Sequence, residues 1–273
     1  MELRAEVDFA RGGRWTRLQC GGRDWLWHRS EPARDAVRPG DPFRDAGGLE
    51  ECIPTVRGTP DHGSAWSRPW RESGGGSASV ACEEFELART IRQDGDDVVA
   101  DYRLAAAPGW RFVWAAHSLL DLSHDARIVA PAGTPTRVFD EGRQLTTHDW
   151  PPDAPWQAGP WPQPLGIRLD RCGPADGTAV GAVLTGCRSV EVHDRGDRLA
   201  LTLQAEGQPV SVALWRNLGG FPPEAPYRSI GVEPMLGQVF DLADAGPGDA
   251  ATVPASGRLG WRLVLSACVG QPA

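Results

Sequence analysis

Glycine and proline punctuate this 273-residue chain too densely for long helices, with 33 Gly and 24 Pro. A proline inside a helix removes a backbone hydrogen bond and clashes with the preceding turn, and a glycine there is also unfavourable. Apolar residues alternate with polar ones, the period of a strand with one buried face. The stretch EFELARTI at 84–91 places Phe85, Leu87 and Ile91 on one side. Asp94-Gly95-Asp96 then turns the chain, and VVADYRL at 98–104 returns with Val98, Ala100, Tyr102 and Leu104 in phase. That is a β-hairpin. SVEVHD at 189–194 turns through Arg195-Gly196-Asp197 into RLALTLQ, where Leu199, Leu201 and Leu203 share a face. The Arg-Gly-Asp tripeptide is read as that turn. QPVSVALWRN (208–217) and GRLGWRLVLSAC (257–268) supply further strands. Many strands joined by short turns imply an all-β chain, an antiparallel sandwich or barrel.

Residues 29–48 and 149–164 break this pattern. Both are Pro-rich and non-periodic, the mark of functional loops or mobile linkers. Neither separates halves of different composition, and no internal repeat is present. The expectation is a single domain over 1–273.

The formal net charge is −8 with no basic stripe, which argues against nucleic acid as a partner. All 28 basic residues are arginine, so lysine Schiff-base chemistry and a lysine-bearing phosphate loop are excluded. SGGGS at 73–77 is accordingly a turn. The N-terminus has no apolar signal core, and no apolar run approaches the roughly 18–20 residues of a membrane span. A cytoplasmic chain without membrane contact is expected. The cysteines at 20, 52, 82, 172, 187 and 268 lack C-x-x-C spacing and are expected as free, mostly buried thiols. No His-x-His, His-Glu-x-x-His or Gly-x-Ser-x-Gly occurs, so metal and serine-nucleophile chemistry find no motif. His124-Asp125 and His193-Asp194 are read as turn residues following strands.

The chain holds 12 Trp against 7 Phe and 2 Tyr. Indole faces match the apolar faces of sugar rings while polar neighbours read hydroxyls. Trp25, Trp27 and Trp261 lie in strand patterns and are expected in the core. Trp66, Trp70, Trp156 and Trp161 lie in irregular segments and fit a pocket or loop packing alike. The stretch DHGSAWSRPW (61–70) sets Asp61 and His62 before a glycine, then brackets Arg68 between Trp66 and Trp70, as in the wall of a polar, aromatic pocket. Two further polar residues interrupt apolar strands: His117 in FVWAAHSLLDL (112–122) and Glu233 in YRSIGVEPMLG (227–237). Buried polar groups require partners, and His62, His117 and Glu233 can converge on one sheet face.

Taken together, LEECIPTV with DHGSAWSRPW, WAAHSLLDL and SIGVEPMLGQVFDL resemble the aldose 1-epimerase (galactose mutarotase-like) superfamily, in order and approximate spacing over most of the chain. The resemblance implies a large antiparallel β-sandwich, the galactose mutarotase-like supersandwich, with a sugar held on a concave face. It also implies an isomerase that interconverts α and β anomers of an aldose or related sugar. In that scheme Glu233 is the general base on the anomeric hydroxyl, His117 the general acid on the ring oxygen, and His62 a second histidine at the ring-oxygen side. Arg68 falls near a sugar-contacting position, with Asp61, Trp66 and Trp70 completing the wall. No metal or nucleotide cofactor is needed. Two departures stand out: Ala116 precedes His117 where the family has asparagine, and the family's hydroxyl-gripping mid-chain aspartate has only Asp140 and Asp149 as candidates, the latter beside His148. Two alternatives remain at this stage. One is a non-catalytic sugar-binding or sensing protein on the same fold. The other is a glycoside hydrolase or lyase, for which a second placed carboxylate, or a Tyr/His pair using Tyr102 or Tyr227, would be required.

Overall fold

In the computed structural model, which describes residues 1–270, the two hairpins form as their alternation requires. Phe85–Asp94 pairs with Asp97–Ala106, and Ser189–Asp194 pairs with Asp197–Gln204. Both belong to an eight-stranded antiparallel sheet. Its order runs Arg127–Val129, Ser189–Asp194, Asp197–Gln204, Arg258–Cys268, Asp97–Ala106, Phe85–Asp94, Ser77–Ala81, Arg71–Gly74. The glycines of SGGGS make the hairpin turn between the last two.

The second sheet has ten strands. Along its path lie Arg4–Asp8, Arg14–Cys20, Leu49–Cys52, Trp114–Leu120, Tyr227–Leu236, Val210–Phe221, Ala179–Thr185, Pro135–Phe139 and Trp156–Pro160, with Arg23–Asp24 branching from Arg14–Cys20. Helical structure among the described residues is limited to four short 3-10 segments. Among the described residues no helix is long and apolar enough to cross a membrane. One expectation needs correction: residues 149–164 are not wholly irregular. Trp156–Pro160 pairs with Pro135–Phe139 as the edge strand, where prolines are tolerated because no further strand needs their missing N–H.

The central strands of the larger sheet are buried on both faces, and side-chain parity sorts their residues. Trp114, Ala116 and Leu120 enter the main core with Ile230, Val232, Val212 and Leu214. Ala115, Ala213 and Met235 point to the opposite face, into a smaller apolar cluster with Cys52, Val183 and Phe240. His117, Trp215 and Glu233 have this second parity. This second face thus rests on an apolar floor and is interrupted by polar groups.

The core also contains charge. Arg89 shares the inward face with Leu87 rather than standing opposite it, and both Arg89 and Glu51 have fully buried side chains. Arg89 Nη1 contacts Glu51 Oε1. Tyr102 Oη and Trp114 Nε1 each donate to the Glu51 carboxylate at 2.8 Å. Arg89 also donates to Gly13 O at 2.7 Å and lies over the Trp70 ring at 4.7 Å. A buried pair is tolerated when further hydrogen bonds satisfy most of its capacity, and here Arg89 Nε alone of the pair is left without a partner. All six cysteines are free. Cys20, Cys52, Cys172 and Cys187 are buried, whereas Cys268 is exposed.

Candidate functional site

The strand Leu49–Cys52 explains how the site is seated. Its residues are all buried, and the two adjacent glutamates face opposite ways. Glu51 enters the core, while Glu50 lies beside His117, with which it is in register. Glu50 is held by Arg34 from the irregular 29–48 segment: Nε donates at 3.1 Å, and Nη2 reaches the two carboxylate oxygens at 2.9 and 3.1 Å. Arg34 Nη2 also donates to Trp66 O at 3.1 Å. This buried pair fastens the loop to the sheet and brings Phe43, Arg44 and Asp45 to the same cavity as His117 and Glu233. Burial, only partly offset by Arg34, raises the Glu50 carboxyl to about 7.

The two polar residues set into apolar strands meet there. The register that pairs Ala115 with Met235 and Leu119 with Gly231 brings His117 opposite Glu233. His117 Nδ1 lies 2.9 Å from Glu233 Oε1. The ring N–H is not aligned for a hydrogen bond, so this is a close charge contact, and Glu233 Oε2 is buried with no hydrogen-bond partner. Gly231 makes the arrangement possible, since a Cβ there would stand 2.4 Å from Glu233 Oε1. Burial alone would lower the His117 pKa. The Glu233 carboxylate, aided by Asp45 and Glu50, outweighs it and raises the value to about 9.

His62 comes from the loop after Ile53. Gly63, at φ 75°, packs directly on the Ile53 backbone where any Cβ would collide, and this close approach sets His62 against the strand. His62 itself sits at φ 59°, a conformation that costs an ordinary residue about 1–2 kcal/mol. Its ring stacks on Phe43 with centroids 3.6 Å apart and stands edge-on to His117 at 5.0 Å. Asp61 Oδ1 lies 3.0 Å from its Nδ1. Burial and the neighbouring His117 charge lower the His62 pKa despite Asp61. The two histidines are thus held in opposite protonation states near neutral pH.

A cavity of about 790 Å³ opens above these groups. Asp61, His62, His117 and Glu233 line it. Trp66, Arg68 and Trp70 do not. Trp66 is buried behind Phe43, beneath the Arg34 guanidinium. Trp70 is a core residue over Arg89, its Nε1 donating to Ala65 O at 3.3 Å. Arg68 lies beside Cys82, away from the cavity. The 61–70 stretch is therefore wall only at its first two residues. Past Gly63 the chain dives into the core, which is where large indoles bury most area. The aromatic wall comes from Trp215, Phe221, Phe240 and Tyr227 instead. Trp27, expected in the core, is partly exposed and stacks on Tyr227 with centroids 5.5 Å apart.

The mid-chain carboxylate facing the cavity is Glu141, beside the anticipated Asp140. Neither Asp140 nor Asp149 lines it. Glu141 Oε1 is 2.5 Å from Arg57 Nη1, and the Arg57 guanidinium lies over Phe240 at 4.4 Å. At the mouth Tyr227 Oη donates to Asp45 Oδ2 at 2.5 Å, tying the 29–48 loop to the Tyr227–Leu236 strand.

The same two-sheet architecture is known from solved structures. The chain superposes on the Slr1438 protein from Synechocystis sp. PCC 6803 with a TM-score of 0.68 at 16% identity, over 97% of this chain and 91% of that one. On a candidate aldose 1-epimerase from Escherichia coli K12 it gives 0.68 at 15% identity, over 98% and 96%. On a galactose mutarotase-like protein from Lactobacillus casei ATCC 334 it gives 0.62 at 15% identity, over 98% and 97%. The chain has the galactose mutarotase-like fold. No protein-family model matches the sequence, and no curated protein does. The mutarotase-like fold is what these similarities establish.

Proposed function

We propose that this protein is an aldose 1-epimerase-like isomerase that interconverts the anomers of a sugar. The observation that carries this reading is the His117–Glu233 contact at the cavity floor, with Glu233 Oε2 buried and unpartnered. Opening a hemiacetal requires removing a proton from the anomeric hydroxyl and delivering one to the ring oxygen. Glu233 Oε2 accepts the first proton. His117, as imidazolium, carries a proton on each nitrogen, so the nitrogen turned away from Glu233 has one to donate. As the C1–O5 bond breaks, C1 becomes a carbonyl and O5 a hydroxyl. Rotation about C1–C2 and the reverse proton transfers close the ring on the other carbonyl face, returning both side chains to their starting states. Paired acid and base of this kind accelerate proton transfer by roughly 10²–10⁴-fold.

The surrounding residues fit this task. His62, held neutral, hydrogen-bonds the ring-oxygen side. Trp215 offers a flat face to the sugar, and Glu141 with Arg57 reads hydroxyls. The fold is shared with proteins named for epimerase or mutarotase activity, which supports the reading without assigning a substrate. Exchange NMR on a panel of aldoses tests it by following α and β anomer signals with wild type and with Glu233→Gln. Faster exchange with wild type alone is the expected result. Perturbed sugar signals without faster exchange would make the protein a sugar binder. No effect on any sugar would leave only the fold.

A further inference from the structure

The cavity above His117 and Glu233 does not end at its aromatic wall. A second cavity, of about 450 Å³, lies on the far side of Arg57, Glu141 and Phe240, which line both. The partition between them is thus one ion pair and one ring edge. Gly181 leaves the room they occupy, since a Cβ there would stand 2.7 Å from Arg57 Nη2 and 2.9 Å from the Phe240 ring. The pair's side chains are about one-third exposed, while Glu141 Oε2 is buried with no hydrogen-bond partner, an acceptor left free within the partition.

Size points the same way. At about 790 Å³ the first cavity lies in the upper part of the roughly 300–1,000 Å³ range of small-molecule sites, which take ligands larger than one sugar ring. The outer cavity is built by Asp140, Arg143 and the turn carrying Asp153, Ala154 and Pro155. Its charge disfavours an anionic tail, because carboxylates outnumber guanidinium groups in its lining. Arg57 is paired with Glu141, and Arg143, which donates to Pro152 O at 3.2 Å and lies over the Trp150 ring, is among the described residues the one basic group there without a carboxylate partner. Asp140, Asp153, Asp241 and Asp244 face the same space. A guanidinium–carboxylate pair set against an aromatic ring suits the vicinal hydroxyls and apolar face of a neutral sugar ring, not a phosphate.

Resting on the epimerase reading above, we propose that the outer cavity is a second sugar subsite and that the substrate is the reducing end of a neutral oligosaccharide. The reducing ring sits over His117 and Glu233, and the next ring crosses the Arg57–Glu141–Phe240 partition into the outer cavity.

Reducing-end anomer exchange measured by NMR separates the possibilities, using glucose, maltotriose, cellotriose and glucose 6-phosphate as probes. For wild type, at least one trisaccharide is expected to show kcat/KM about tenfold or more above glucose, the scale on which a modest set of extra contacts registers. Glucose 6-phosphate should gain nothing. Ala154→Trp, placed in the outer turn away from the reacting groups, should erase the trisaccharide advantage while glucose exchange stays unchanged, and that unchanged rate also shows that the variant folds. Asp153→Trp is the second blocking variant should the first fail to fold. Glucose exchange with no trisaccharide gain, a trisaccharide gain that survives both blocking variants, or a preference for glucose 6-phosphate would each overturn the subsite while leaving the epimerase intact. Absence of exchange for every sugar would instead overturn the epimerase reading, and the substrate assignment with it.

Discussion

Replacing Glu233 by glutamine keeps the shape of the site and removes the charge beside His117. In the wild type that carboxylate, 2.9 Å away, lifts the imidazole from an ordinary value near 6.5 to about 9 against the opposing effect of burial. The rise corresponds to roughly 3 kcal/mol of preference for the imidazolium. Because the folded value is raised, this stabilisation is fully present below about pH 6.5 and is lost as pH climbs through about 9. In the Gln variant burial acts with Asp45 and Glu50 as the remaining acidic neighbours, and the His117 pKa should fall to its ordinary value or below. Nitrogen-detected histidine NMR at pH 7.5 reads this directly, showing a doubly protonated His117 ring in wild type and a neutral one in the variant. Anomer exchange should fall by roughly 10²–10⁴-fold, since the base is gone and the acid discharged. A His117 that remains protonated at pH 7.5 without Glu233 would refute the account of its charge, whatever happens to the rate.

Further substitutions probe separate links. Gly231→Ala forces the Glu233 carboxylate away from its present position; the chain should keep its far-UV circular dichroism but lose at least about tenfold in exchange rate, a shift of roughly 1.4 kcal/mol in barrier, and an unchanged rate would show that Glu233 need not sit there. Arg34→Met strands Glu50 in the interior and should destabilise by about 3–5 kcal/mol in urea unfolding. A loss below about 1 kcal/mol would mean that the buried pair does not anchor the loop. Trp70→Ala should cost about 3–5 kcal/mol of stability through its core cavity while leaving the sugar KM unchanged in the folded protein; a raised KM at intact stability would return Trp70 to the sugar wall. Treatment with EDTA should leave exchange unaffected, because the proposed proton transfers involve only Glu233 and His117, and a lost rate would point to a metal.

The alternation of Phe85, Leu87 and Ile91 against Val98, Ala100, Tyr102 and Leu104 was enough to establish hairpins, because the strand period is local and a one-residue slip would turn every apolar side chain to water. His117 and Glu233 were likewise legible, each a polar residue in an apolar strand, and so were Asp61 and His62 before a glycine. Residue type and local pattern do not say which face of which sheet a side chain will reach. Trp66 and Trp70 look like a pocket wall in sequence, but the packing of their loop sends them inward, and Trp215, Phe221 and Phe240 take that place from distant segments. Glu50 and Glu51 are neighbours with opposite destinations, one beside His117 and one in the core with Arg89, and only the pleat of a strand buried on both faces separates them. The partition of Arg57, Glu141 and Phe240 joins three regions far apart along the chain. Local propensity and periodicity therefore determined the strands and the polar exceptions within them. Tertiary structure alone decided the contacts, burial and charges that turn those exceptions into a site, because each depends on groups brought together across sheets rather than along the sequence.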